Sequence, residues 1–192
     1  MSQIWAGQGV LFGLLMAACL VDLRERRIPN ELSLLMLIFG LTWHSTVPGG
    51  SGLFAAIGPG GMGFSASALG GLVAFLFFLP IFAMRLMGGG DVKMMVSLGT
   101  WVGVSGLLPL LLLVLLCGGL LALTRTIDGK HFGRLSTNLL IIKQQVLPLS
   151  AAPVRRFDPQ VDTADRLPYA LAITSGVLVY AFAQHHSWLS WL

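Results

Sequence analysis

Two aspartates stand at the edges of apolar segments, Asp22 in Val21-Asp-Leu-Arg-Glu-Arg-Arg-Ile-Pro-Asn30 and Asp91 in Met87-Gly-Gly-Gly-Asp-Val-Lys93. An ionisable group at membrane depth costs roughly 2.5 to 3.5 kcal/mol at a helix centre on insertion scales, and those that persist mark function. Paired carboxylates have a definite chemistry: one, ionised, draws a proton from water while the other, protonated, polarises a carbonyl, and the sum is amide hydrolysis. Two like charges sharing a site arrange this division themselves, because both cannot ionise freely. Gly88, Gly89 and Gly90 clear side chains from the approach to Asp91, which suits positive φ values and close passage of an extended substrate backbone.

Each part has a plainer reading. Asp22 alone is a hydrated interfacial residue paired with Arg24 or Arg26. Asp91 alone caps the helix that follows it. A glycine triplet with no preceding strand makes no dinucleotide site. Only the combination, two acids at matching depth beside unusual backbone, favours a catalytic pair.

The elements that must position them are membrane helices. The 192 residues are 55% hydrophobic and 10% charged, and the mean hydropathy is +0.82, which predicts an all-α, polytopic membrane helix bundle. Cys19 and Cys117 are the two cysteines; both lie in apolar runs without metal-ligand spacing, so neither a metal nor a cofactor is expected. A net charge of +4 raises the question of nucleic acid, but the basic residues are scattered over loops beside apolar runs, and none is expected as a partner. Membrane lipid is.

Apolar stretches place spans at residues 4–21, 32–47, 65–84 and 167–183, with a longer run at 94–124. As one helix that run would extend about 46 Å at 1.5 Å per residue, against a hydrocarbon core of about 30 Å. Gly103, Gly106 and Pro109 offer a turn in its middle, so it reads as a hairpin and the total as about six spans. All 12 Lys and Arg residues then fall on one face, which the positive-inside rule makes cytoplasmic, with both termini outside. Asp22 ends the first span and Asp91 begins the fourth, which brings the two carboxylates to that same face. Trp5, Trp43, Trp101, Trp188 and Trp191 fall toward the other face, as an interfacial belt would. His44 and His131 are expected at the interfaces too.

The chain is therefore expected to be a single membrane-embedded domain over residues 1–192, with a cytoplasmic loop at 125–166. Within that loop an apolar patch at 139–142 suits a short surface helix. Residues 48–63, rich in glycine, suit a flexible external connector. Ala66, Gly70 and Ala74 recur every four residues in the third span and permit close helix packing.

At the two aspartates the sequence resembles the type IV prepilin peptidase family, membrane aspartyl proteases with a Gly-x-Gly-Asp motif. The Asp22 to Asn30 segment looks like the family's first-aspartate motif; Gly88-Gly-Gly-Asp-Val-Lys93, followed by Leu98-Gly-Thr-Trp101, looks like its second; Arg166-Leu-Pro-Tyr-Ala-Leu-Ala-Ile173 is similar to the opening of its last span. The resemblance implies Asp22 and Asp91 as the catalytic pair and Gly88 and Gly90 as the motif glycines. Lys93 also matches, and would bias the charge of the pair, contact substrate, or snorkel to the interface. Pro29 and Asn30 would start the second helix, Pro setting the turn and Asn capping it.

What the resemblance implies is leader removal from prepilins or pseudopilins, substrates with a basic leader and a hydrophobic helix, at the cytoplasmic face of a bacterial inner membrane. Glu25 and Glu31 would attract such a leader. Larger family members begin with a cysteine-bearing zinc module and also methylate the new amino terminus. Here the first span starts at Ile4, so the likeness is to the compact branch that serves tight-adherence (Flp) pili, and methyltransferase activity is not expected. Archaeal preflagellin peptidases are compact as well. The presenilin group fits less, since its first aspartate follows Tyr and this one follows Val21.

Two other functions use paired acids. An ion- or proton-coupled transporter would relay cations through Asp22 and Asp91, but the spans show no inverted repeat and both acids lie at one face. A lipid phosphotransferase would hold Mg²⁺ on further carboxylates, and Asp128, Asp158, Asp162 and Asp165 have no such spacing. A structural assembly subunit would tolerate Asp→Asn changes.

Overall fold

The computed structural model describes residues 2–25, 27–47, 49–55, 58–84, 87–127 and 169–186. Among the described residues five helices follow in order: α1 Ser2–Glu25, α2 Asn30–Thr46, α3 Phe64–Ala83, α4 Gly89–Ile127 and α5 Tyr169–His185. No strand occurs among the described residues, which contain two isolated bridges, Gly49 to Gly61 and Gly52 to Gly60. By compactness the chain divides into one unit of Met1–Gly118 with Pro168–Leu192, and another of Gly119–Leu167. The second unit is described only through residues 119–127, the last turns of α4. The first holds both aspartates.

Among the described residues three helices are long and apolar enough to cross a membrane, at Gln3–Glu25, Phe64–Ala83 and Gly89–Thr124. The other two have 17 residues each, about 25 Å against a hydrocarbon core of about 30 Å. Large apolar side chains also cover the outside of the bundle, among them Leu72, Leu76, Leu112, Leu115 and Leu116. Helices apolar on every side suit a lipid surround.

Helix α4 is two limbs joined at Gly103, whose φ of 69° and ψ of −176° leave the helical region. Beyond it the chain reverses. Gly106 lies against Tyr180, Val114 against Gly176, and a β-carbon at Gly118 would lie 3.9 Å from the Tyr169 ring, so the second limb runs antiparallel to α5. A straight helix would separate residues 91 and 118 by about 40 Å, yet Tyr169 lies beside Gly118 and also within the field of Asp91. Left-handed φ at the joint is the reason for glycine there, and a β-carbon would also meet Met62 Sδ at 2.7 Å.

The first limb is fastened to α2 and α3 by hydrogen bonds that satisfy polar groups within the bundle. Ser97 Oγ donates to Ser33 O at 2.7 Å, Trp101 Nε1 to Met36 O at 2.8 Å, and Ser67 Oγ to Thr100 O at 2.7 Å. The small-residue stripe of α3 works as its spacing suggests: Gly70 meets the Gly99 backbone, and a β-carbon at Gly99 would lie 2.8 Å from that of Ala74.

Three sequence expectations change. Trp101 is 0% exposed, so it is a core residue with its N–H satisfied, not part of a belt; Trp43 is half-buried and stacks on it at 6.3 Å. Trp188 and Trp191 lie outside the described residues, as do His131, the patch at 139–142 and nearly all of the 125–166 loop. His44 is 1% exposed, not interfacial. Its Nδ1 accepts the Met62 N–H at 3.3 Å, which leaves Nε2 to donate to Trp101 O at 3.0 Å, and this fixes the neutral Nε2–H tautomer.

The described part of residues 48–63 is not a flexible connector. Gly50 N donates to Gly61 O at 2.7 Å, Ser51 N to Gly58 O at 2.9 Å, and Gly60 N to Gly52 O at 3.0 Å. This folded segment inserts Leu53, 1% exposed, and Phe54, whose ring meets Phe12 and Tyr180 edge-on. The glycines serve backbone proximity: β-carbons at Gly50 and Gly61 would lie 2.6 Å from Gly58 O and 2.5 Å from Val47 O. Because these neighbours are backbone and cannot swing away, Gly61→Ala is expected to cost about 1 to 3 kcal/mol, read as a lowered melting temperature of the detergent-solubilised protein.

Candidate active site

Asp22 lies on the last turn of α1, at the end of a stripe formed by Leu11, Leu15 and Ala18, all buried. The spacing of three and four residues continues inward to it, so the carboxylate points into the bundle and is 7% exposed. Asp91 is the third residue of α4 and opens a corresponding stripe through Met94, Met95 and Leu98. It is partly buried. The two stripes belong to one core, and the charge of Asp22 is felt at Asp91.

The partners of the acids come from two places. Asp22 Oδ2 accepts the backbone N–H of Ala170 at 3.2 Å, a buried bond across 148 residues of sequence. This N–H lies in the first turn of α5, where backbone donors have no partner within the helix. Asp91 faces the Gly88 backbone, and a β-carbon on Gly88 would lie 3.0 Å from Asp91 Oδ2.

The glycine triplet is used for closeness, not for positive φ as expected, since among the described residues the glycines with positive φ are Gly52, Gly58, Gly63 and Gly103. Gly89 approaches Phe82, and a β-carbon at Gly90 would lie 3.1 Å from Ile28 Cβ. Gly90 therefore lets the Asp91 turn sit on the segment that follows Asp22. Gly88→Ala is expected to displace the Asp91 carboxylate by a few tenths of an ångström, and if Asp91 is catalytic to lower kcat about tenfold, given the sensitivity of catalysis to position. Unchanged kcat would remove Gly88 from the site.

Lys93 and Asn30 meet each other, Nζ to Oδ1 at 2.8 Å. Two residues after Asp91 on a helix is roughly 200° around it, and Lys93 faces an apolar groove of about 440 Å³ lined also by Asn30, Ser33, Leu34, Phe75 and Val96. The structure thus brings Asp22, Asp91 and Gly88 together and sets Lys93 and Asn30 apart from them. Pro29 occupies the N-cap position of α2 with φ −60° and ψ 139°, the turn expected of it. The capping expected of Asn30 does not occur: it is the first helical residue and its side chain accepts from Lys93 instead.

Sequence reasoning placed the start of α5 but missed that its first turn reaches Asp22. Its signal was Pro168 directly ahead of an apolar run, the mark of a helix start with free backbone donors. Among the described residues no group of three or more His, Cys, Asp or Glu side chains is placed to hold a metal ion.

Residues 9–123 match the family model of the type IV leader peptidases. The chain belongs to the type IV leader peptidase family. Both aspartates lie within the matched residues. A prepilin leader peptidase/N-methyltransferase of Xanthomonas campestris pv. campestris is 30% identical over 119 residues, 61% of this chain and 40% of that protein. Its counterpart in Pectobacterium carotovorum subsp. carotovorum is 28% identical over 115 residues, 60% of this chain and 39% of its own length. The match thus spans about two fifths of these curated leader peptidases. No solved structure matches the chain.

Proposed function

We propose that this chain is a membrane aspartyl endopeptidase that removes the basic leader from prepilin or pseudopilin precursors, with Asp22 and Asp91 as its catalytic pair. The observation that carries the reading is the convergence of these two carboxylates at one end of an apolar bundle, in a leader peptidase family member. Water bound between them gives a proton to the ionised carboxylate as its oxygen adds to the scissile carbonyl carbon. The other carboxyl lends its proton to the carbonyl oxygen. Collapse of the tetrahedral intermediate breaks the C–N bond, the departing amine takes a proton from the pair, and the leader leaves with the new carboxylate.

The wider assignment rests on the same reading. One domain of six spans would put the dyad at the cytoplasmic face of a bacterial inner membrane, both termini outside and the 125–166 loop inside. Flp/Tad-like pilus subunits or type II secretion pseudopilins are the substrates that fit, because their hydrophobic helix would share the bilayer while the leader meets exposed Glu25 and Glu31. With only two cysteines, both in helices, this chain is proposed to cleave without methylating. The rival transporter needs a path through the bundle, and the inserted Leu53 and Phe54 fill the end away from the acids.

Co-expression with a candidate prepilin, read by gel mobility and by the mass of the mature subunit, tests the proposal. Appearance of the leaderless, unmethylated subunit only when this chain is present is the expected result. Persistence of the full-length precursor of every Flp-like and pseudopilin candidate would overturn it.

A further inference from the structure

The groove beside Lys93 has a chemistry of its own. It lies between α2, α3 and the first limb of α4, with Leu34, Leu37, Phe75, Leu79 and Val96 along it. The hydroxyls in its floor are already satisfied, Ser97 Oγ donating to Ser33 O at 2.7 Å and Ser33 Oγ to Asn30 O at 3.0 Å. The trough therefore offers a ligand only apolar contact. Leu34, Leu79 and Phe82 are exposed, so it opens on the surface that suits lipid.

One end differs. Lys93 and Asn30 stand there, each near the start of its helix and exposed. Among the described residues the partner of the ammonium is neutral, Asn30 Oδ1 at 2.8 Å. That bond uses one of three donor protons, and it leaves Asn30 Nδ2 a donor as well. The groove of about 440 Å³ is about as large as a single turn of α-helix with its side chains, taken as roughly 10 Å across and about 5.4 Å long. It suits an extended chain better than a second helix. An apolar trough closed at one end by unneutralised donors calls for an amphiphile with an anionic head.

We propose that this groove binds an anionic phospholipid, one acyl chain lying along Leu34, Phe75 and Val96 and the phosphate accepting hydrogen bonds from Lys93 Nζ and Asn30 Nδ2. Charge selects the occupant: a zwitterionic head brings a cation of its own to Lys93, whereas a head with net negative charge does not. Because Lys93 lies roughly 200° around its helix from Asp91, the lipid sits apart from the two acids. The proposal holds whichever chemistry those acids perform.

The full-length protein in detergent, given phosphatidylglycerol and phosphatidylcholine of identical chains in equal amounts, is read by native mass spectrometry. The first lipid retained is expected to be phosphatidylglycerol by about fivefold, the weight of one lysine at an anionic lipid surface. Lys93→Gln removes that preference and Lys93→Arg keeps it. Val96→Phe, which puts a ring into the trough, lowers retention of both lipids, while Leu72→Phe on the exposed face of α3 lowers neither.

Equal retention of the two lipids by the wild type would overturn the proposal, and so would a preference that survives Lys93→Gln. Retention unaltered in a folded Val96→Phe protein puts the acyl chain elsewhere and overturns it too. If the wild type shows no preference and Lys93→Gln raises KM for a prepilin, the groove belongs to the substrate instead. Lys93 is exposed, so its variants keep the fold and decide the matter even where Val96→Phe does not fold.

Discussion

Asp22→Asn and Asp91→Asn are each expected to abolish leader removal, with a loss of about 10² to 10⁴ in rate or more, the range carried by a general acid or base. Asparagine keeps the shape of the side chain and can still accept the Ala170 N–H at position 22. What it removes is the exchangeable proton. Because the two carboxylates act as one unit, the double variant should be no worse than either single one.

Stability should move the other way. A buried carboxylate beside another of like charge is a cost the fold bears, so neutralising either one is expected to leave the melting temperature equal to that of wild type or higher. Cleavage and thermal unfolding measured on the same preparations separate lost chemistry from lost structure. Either asparagine variant cutting at the wild-type rate would sink paired-aspartate catalysis and return the transporter and assembly readings to the front.

How far the sequence carries depends on whether a signal is local. The apolar runs, the break in residues 94–124 and the inward stripes ending at Asp22 and Asp91 are written in residue spacing, and spacing is enough to find them. Contacts between distant backbones are not. Nothing at Trp101 says that its N–H meets Met36 O, and Gly50 and Gly61 in sequence look like the glycines of a loose linker although they mark backbones in contact. A glycine is ambiguous by itself, since absence of a side chain serves mobility, positive φ and proximity alike. Gly103 uses the second, while Gly88 and Gly90 use the third. The same holds for Lys93, two residues from Asp91 in sequence and on another side of its helix.

Gly70 is where proximity matters most, and Gly70→Leu is expected to be the most damaging packing change in the protein. A β-carbon there would overlap Gly99 O and stand 2.7 Å from Gly103 Cα, both backbone atoms of the limb that carries Asp91. Leucine adds three more carbons, so α3 and α4 must separate. Separation would strain the Ser67 to Thr100 bond and shift the Gly103 joint, with a cost of about 3 kcal/mol or more from overpacking. Against a total stability of about 5 to 15 kcal/mol for a typical domain, that is enough to lower the yield of folded protein and its melting temperature together. Gly99→Leu attacks the same crossing from the other side and should have the same effect, whereas Leu72→Ala, on the exposed face of α3, should not. A Gly70→Leu protein purified at wild-type yield and melting temperature would mean that the two backbones do not meet there, and that the limb bearing Asp91 is held in place by something else.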